Sequence, residues 1–142
     1  MGVRPRKYQP PAWLGIDEDA YFKFLARKAV GLRRRDRNRG GSYSGQECKE
    51  AIHAAFCASD GIDPYDGRPM DGSLLNQYDN DASAKGRTDY KRWFYRLPTI
   101  DHVNGEPVAE FEIVSWQTND AKGDMAPAEF IGYCQAVVAN RV

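Results

Sequence analysis

The chain has 142 residues, 42% of them hydrophobic and 12% aromatic, and its 20 Lys/Arg balance 20 Asp/Glu. That is enough apolar material for the core of one ordinary domain, and no apolar run approaches bilayer-spanning length. The charge is unevenly spread: residues 1–50 carry 12 Lys/Arg against 6 Asp/Glu, and residues 51–142 carry 8 against 14. A basic first part and an acidic remainder suit a polyanion-binding arm attached to a cation-binding site, or else mutual neutralisation within one domain.

Pro5, Pro10, Pro11 and Gly15 break regular structure over residues 1–16 and predict an extended arm, anchored by Trp13 and Leu14. The basic start has no apolar stretch behind it, so no signal peptide is expected. Asp17-Glu18-Asp19 supplies an N-cap and first-turn acids for a helix from about Ala20 to Arg35. Phe22, Leu25, Ala29 and Leu32 form its apolar stripe, and Lys23, Arg27 and Arg34 a basic one. The basic stripe runs on through Arg33, Arg34, Arg35, Arg37 and Arg39, five arginines within seven residues. Guanidinium binds phosphate oxygens bidentately, which makes phosphate the obvious counter-ion. A solvated loop is the plain alternative for such a run taken by itself.

Ser44-Gly45-Gln46-Glu47 matches a capping box and starts a second helix, buried through Cys48, Ala51, Ile52, Ala55 and Phe56 and ended at Asp60-Gly61. His53 lies off that stripe and reads as a partly exposed structural histidine. Cys48, Cys57 and Cys134 are odd in number and widely spaced, which predicts small buried thiols of a reduced, cytoplasmic protein. Residues 60–86 are rich in Asp-Gly turns anchored by Tyr65, Met70, Leu74, Leu75 and Tyr78. Asp79-Asn80-Asp81 opens like a calcium loop, but Ala84 stands where such a loop needs glycine and Tyr90 where it needs an acid. These acids are expected to be turn and cap residues. From Thr88 to Arg96, Trp93 and Phe94 are expected to pack inward, while Lys91, Arg92 and Arg96 are candidates for nucleic-acid contact.

Leu97 to Val103 reads as a strand and Ala109 to Trp116 as its return, with Asn104-Gly105-Glu106-Pro107 turning the chain between them. Gln117 to Lys122 then reads as one or two helical turns closed at Gly123. A hairpin with a short helix on it brings Asp101, His102 and Asn119 toward one another. A carboxylate and an amide oxygen suit a hard divalent cation, and an imidazole can take a proton from water. Together they suit Mg²⁺-assisted phosphodiester hydrolysis, and beside them the arginine run reads better as a nucleic-acid contact. Adjacent strand residues point to opposite faces, so Asp101 and His102 share a site only if the strand bends or ends there. The last segment, Asp124 to about Asn140, is expected to form an amphipathic helix packed through Phe130, Ile131, Cys134, Val137 and Val138.

Ile100-Asp101-His102-Val103, Phe111-Glu112-Ile113-Val114-Ser115-Trp116 and Thr118-Asn119-Asp120-Ala121-Lys122-Gly123-Asp124 together resemble the HNH endonucleases. The resemblance covers the last third of the chain and extends more loosely upstream to about Ser44. It implies an α+β fold with a ββα-metal (His-Me finger) core surrounded by helices. Residues 1–43 would be a basic arm and helix, and residues 44–142 the HNH-like domain. The implied activity is metal-dependent endonuclease cleavage of nucleic acid, double-stranded DNA being the expected partner; a non-catalytic DNA-binding module on the same scaffold is the alternative. By resemblance His102 is the general base, and Asp101 and Asn119 hold one Mg²⁺ or Mn²⁺. The family's middle Asn falls at Glu110, which accepts hydrogen bonds but has no amide N–H to donate. Glu110 would therefore hold the loop differently or approach the metal, and Lys122 would touch phosphate or cap the short helix. Many relatives in that family carry a zinc-binding Cys-x-x-Cys where this chain has Asp63-Pro64-Tyr65-Asp66, so no structural zinc is expected.

Overall fold

In the computed structural model, which describes residues 7–77, 89 and 91–141, helix α1 runs Glu18–Asn38. Asp17 caps it, its side chain accepting from the Ala20 N–H at 2.7 Å. The buried stripe is Tyr21, Phe24, Leu25, Ala29 and Leu32, and Phe22 is turned outward. Helix α2, Gly45–Ala58, begins with the full capping box of Ser44 and Glu47. It buries Cys48, Ile52, Ala55 and Phe56 against α1. His53 sits at the edge, its Nδ1 2.7 Å from the Tyr21 hydroxyl. Of the cysteines only Cys48 is buried; Cys57 and Cys134 are exposed and free.

Strands β1, Pro98–His102, and β2, Phe111–Ser115, form an antiparallel hairpin in which Asp101 faces Glu112 and His102 faces Phe111. The β-branched residues at 99, 100, 113 and 114 favour this pleated backbone. Period-two alternation turns Ile100, Ile113 and Phe111 toward the α1/α2 core. The other face carries Thr99, Asp101, Glu112 and Val114 and is covered by helix α3, Trp116–Lys122. Ser115 caps α3 through the Thr118 N–H, and Gly123 closes it. The hairpin therefore lies between two helical layers, within a small mixed α+β domain whose core joins residues from α1 through β2.

Helix α4, Pro127–Arg141, departs from expectation. Only Phe130 is buried, its ring 5.6 Å from that of Tyr65. Ile131, Cys134, Val137 and Val138 are exposed; Ile131, Cys134 and Val138 line an open groove whose other wall is Tyr65, Arg68, Gln117 and Ala121, instead of packing on it. Phe94 packs inward as expected, but Trp93 is 73% exposed. The expectations for Tyr78, the Asp79–Asp81 turn, Ala84 and Tyr90 lie outside the described residues. No helix among the described residues is long and apolar enough to cross a membrane.

Candidate functional site

Strand alternation decides the site. Asp101 and His102 do not converge: the ladder sends them to opposite faces at the end of β1.

On the inner face, the His102 Nε2 lies 2.6 Å from Asp36 Oδ2 near the end of α1. Asp36 is 2% exposed, whereas the His102 side chain remains 18% exposed. The Tyr43 hydroxyl donates to the same Asp36 oxygen, and the Arg39 guanidinium stands 3.9 Å from the other. Burial, and next the hydrogen bond to Asp36, push the Tyr43 hydroxyl well above its usual range, so it stays a donor. The Phe111 ring meets the imidazole edge-on at 5.2 Å. Neither Asp36 nor Tyr43 carries a motif that would mark it in the sequence.

On the outer face, Lys122 of α3 is fully buried and its Nζ lies 3.0 Å from Asp101 Oδ2. It also donates to the His102 carbonyl at 3.2 Å. Lys122 thus neither reaches phosphate nor caps α3; its ammonium is spent on β1. Asp101 is 4% exposed, and the Oδ2 contact with Lys122 is one of charge without hydrogen-bond geometry. Burial pushes the Asp101 carboxyl above the usual range, and Lys122 pulls it back only in part. Glu112, directly opposite, is raised by burial and then by the Asp101 charge. Tyr65 is pushed up to about 12 by burial and by the charges of Glu112, Asp101 and Asp63. Asn119 donates from Nδ2 to Thr99 Oγ1 at 3.1 Å, two residues before Asp101 on the same face. Thr99 in turn donates to the Val114 carbonyl at 2.8 Å.

This face holds two oxygen donors of the kind a hard cation takes, but a cation on Asp101 Oδ2 would have to displace the Lys122 ammonium that stands 3.0 Å from it. Asp101 Oδ2 is a buried carboxylate oxygen with no hydrogen bond, Asn119 spends its amide nitrogen on Thr99 and keeps its oxygen, and the nearest counter-charge is an ammonium. Asp101 and Asn119 are the residues that would hold Mg²⁺ or Mn²⁺. Among the described residues no three His, Cys, Asp or Glu side chains group as a metal set. Lys122→Met is expected to cost about 3 kcal/mol at neutral pH, the low end for a broken buried pair, because Asp101 loses its closest counter-charge but can take up a proton instead. Because the Asp101 carboxyl is raised, the loss should already shrink as pH falls toward the usual carboxylate value of about 3.9 and be small there, where a protonated carboxyl needs no partner. Urea unfolding at both pH values checks this, and equal losses would dissociate Lys122 from Asp101.

The expected loop residue Glu110 exposes its side chain and acts through its backbone, its carbonyl accepting the Val103 N–H at 3.1 Å. Glu112, two positions on, is the acid that faces Asp101.

The basic residues separate. Arg34, Arg35, Arg37 and Arg92 are exposed and open to a polyanion. Arg33 is half-buried, with its Nε buried and lacking a hydrogen bond. Arg39 donates to the Gly105 carbonyl at 2.6 Å, clamping the loop after His102. Lys91 pairs with Asp120 at 3.7 Å. Arg96 is a structural residue, donating to Asp66 at 2.9 Å, Arg68 O at 2.8 Å and Pro69 O at 2.9 Å. Its planar fork is consumed by a turn that presents three acceptors to it, which leaves phosphate little to engage.

No protein-family model, curated protein or solved structure matches the chain.

Proposed function

We propose that the chain is a metal-dependent endonuclease that hydrolyses phosphodiester bonds in DNA, in the manner of the HNH nucleases it resembles. The observation that carries this reading is the end of β1. There a half-buried imidazole is held by a buried carboxylate, and its neighbour Asp101 turns toward the helix that bears Asn119 a buried carboxylate oxygen whose one close partner is the Lys122 ammonium.

The His102 Nε2 is committed to Asp36, which leaves Nδ1 to accept a proton from water. The imidazolium so formed keeps its Nε2–H on the Asp36 carboxylate, which offsets the new charge. Asp101 and Asn119 would hold one Mg²⁺ or Mn²⁺, which when bound supplies charge stabilisation for the phosphate oxygens. The exposed arginines at the end of α1 lie in sequence beside Asp36 and give the polyanion a positively charged approach.

A non-catalytic DNA-binding module on the same scaffold is the second reading, favoured by two observations. The His102 ring and the Asp101 carboxylate stand on opposite faces of the hairpin, so one phosphate would have to reach both around the end of β1. In addition, Lys122 already neutralises Asp101 without any metal. Nicking of supercoiled plasmid with and without Mg²⁺ separates the two. The nuclease reading expects cleavage that needs the ion, and expects Asp101→Ala and Asn119→Ala each to weaken Mn²⁺ binding measured by calorimetry. Binding to DNA with no cleavage under any divalent ion would leave the module. Unchanged Mn²⁺ affinity in both variants would overturn the ligand assignment.

A further inference from the structure

The loop from Val103 to Glu110 is held by the C-terminal end of α1 and the residues just after it. Arg39 Nη2 donates to the Gly105 carbonyl at 2.6 Å. The Asp36 carbonyl accepts the N–H groups of Arg39 at 3.0 Å and Gly41 at 2.7 Å, folding the chain tightly after the helix. Gly41 itself admits no side chain, since a Cβ there would come 2.6 Å from the Pro107 carbonyl oxygen and 2.9 Å from that of Asp36. Gly105, at φ +72°, is similarly pressed against the Asp124 carbonyl. The Asp36 carboxylate is thus anchored at both ends of its residue, through its backbone and through Tyr43.

Both the Tyr43 hydroxyl and the His102 ring address one oxygen, Asp36 Oδ2. An ionised carboxylate has acceptor sites only, so the imidazole nitrogen facing it must carry the proton. That leaves Nδ1 bare. Asp36 lies 66 residues from His102 in the chain, and Glu110, at the position where the resembled family places its loop-holding residue, directs no side chain to this loop.

We infer that Asp36, braced by Tyr43, is the positioning residue of His102: it fixes the ring's orientation and its Nε2–H tautomer, so that Nδ1 is the basic nitrogen. As a contribution to catalysis this rests on the endonuclease reading; as a statement about the ring it does not. With the proton on Nε2 and the ring pinned between Asp36 and Phe111, Nδ1 is presented without a rotamer search.

The test reads the ring directly. The chain has two histidines, His53 and His102, so the ¹⁵N imidazole resonances of the full-length protein are assignable with a single His53→Gln variant. Wild type, above the imidazole titration, is expected to show Nε2–H for His102. Asp36→Asn, whose amide can turn a donor to the ring, is expected to give a mixed or reversed tautomer. It should also lower kcat by about 10²–10⁴-fold with KM nearly unchanged, the scale of general-base catalysis. Asp36→Glu should restore part of kcat, and Tyr43→Phe should lower it by a smaller factor. An Nδ1–H tautomer in the wild type overturns the inference outright. So does an Asp36→Asn protein that keeps both the wild-type tautomer and the wild-type kcat. If the wild type cuts nothing, the endonuclease reading falls, while Nε2–H in the wild type and its loss in Asp36→Asn still sustain Asp36 as the group that sets the ring.

Discussion

His102→Ala is expected to abolish metal-dependent nicking, a loss of at least the roughly 10²–10⁴-fold that a positioned base contributes. The side chain does its work at a point where the fold leaves it 18% exposed. Its removal opens the site without emptying the core, which is built from α1, α2 and the inward residues of the hairpin. Affinity for DNA should stay close to wild type if, as proposed, the exposed arginines carry the phosphate contacts. A fluorescence titration with labelled duplex and a single-turnover nicking assay on the same preparation, its melting temperature checked, separate these terms. Retained cleavage in a folded variant would remove His102 as the base. Lost cleavage together with lost affinity would make it a binding residue.

Asp63→Ala should bring the largest loss of stability. This carboxylate is completely buried and accepts three backbone N–H groups: Tyr65 at 2.7 Å, Asp66 at 3.0 Å and Ser115 at 2.8 Å. The last ties the turn at residues 63–66 to the end of β2, where α3 begins. In the family that the sequence resembles, this stretch often carries half of a zinc site; here one side chain cross-links the same turn by hydrogen bonds. The buried Ser115 N–H left without a partner costs about 1–3 kcal/mol and the two part-buried bonds to the charged carboxylate about 1.5–3 kcal/mol each, so alanine should cost roughly 4 kcal/mol or more in all. Burial alone would raise the Asp63 carboxyl, but the N–H groups of Asp66, Ser115 and Tyr65 outweigh it and hold it below the usual range. A carboxyl depressed by folding contributes stability that is complete above its unfolded value, about 3.9, and lost as pH falls through the lower folded one. The gap between wild type and Asp63→Ala should therefore be full at neutral pH and narrow only below about pH 4. Urea midpoints at pH 7 and about pH 3 measure it. A gap under about 1 kcal/mol at neutral pH would mean that water replaces the carboxylate at this turn.

Short-range features were legible in the amino-acid sequence because their causes lie within a few residues. Asp17 and the Ser44/Glu47 box cap helices through the next turn of backbone. The β-branched pairs at 99–100 and 113–114 and the glycine at 123 mark the hairpin and the end of α3 in the same local way. Even the separation of Asp101 from His102 follows from the two-residue period of a strand, and the ladder realises it. The same period makes Glu112 the neighbour of Asp101, although spacing from the family motif directs attention to Glu110.

What the sequence by itself determined, then, is the hairpin-and-helix unit and the residue types at its end; which groups those residues meet was decided by tertiary structure alone. Asp36 reaches His102 across 66 residues, and Asp63 reaches Ser115 across 52. No periodicity connects positions so far apart, because such contacts depend on how α1 and the 63–66 turn dock on the two ends of the sheet. The arginines make the same point. Read together they are one basic run, yet docking turns Arg39 into a clamp on Gly105 while leaving Arg34, Arg35 and Arg37 exposed. The apolar stripe of α4 shows the converse: periodicity supplies a face to bury, but past Phe130 that face stands across an open groove from the 65–68 turn and α3 and stays exposed.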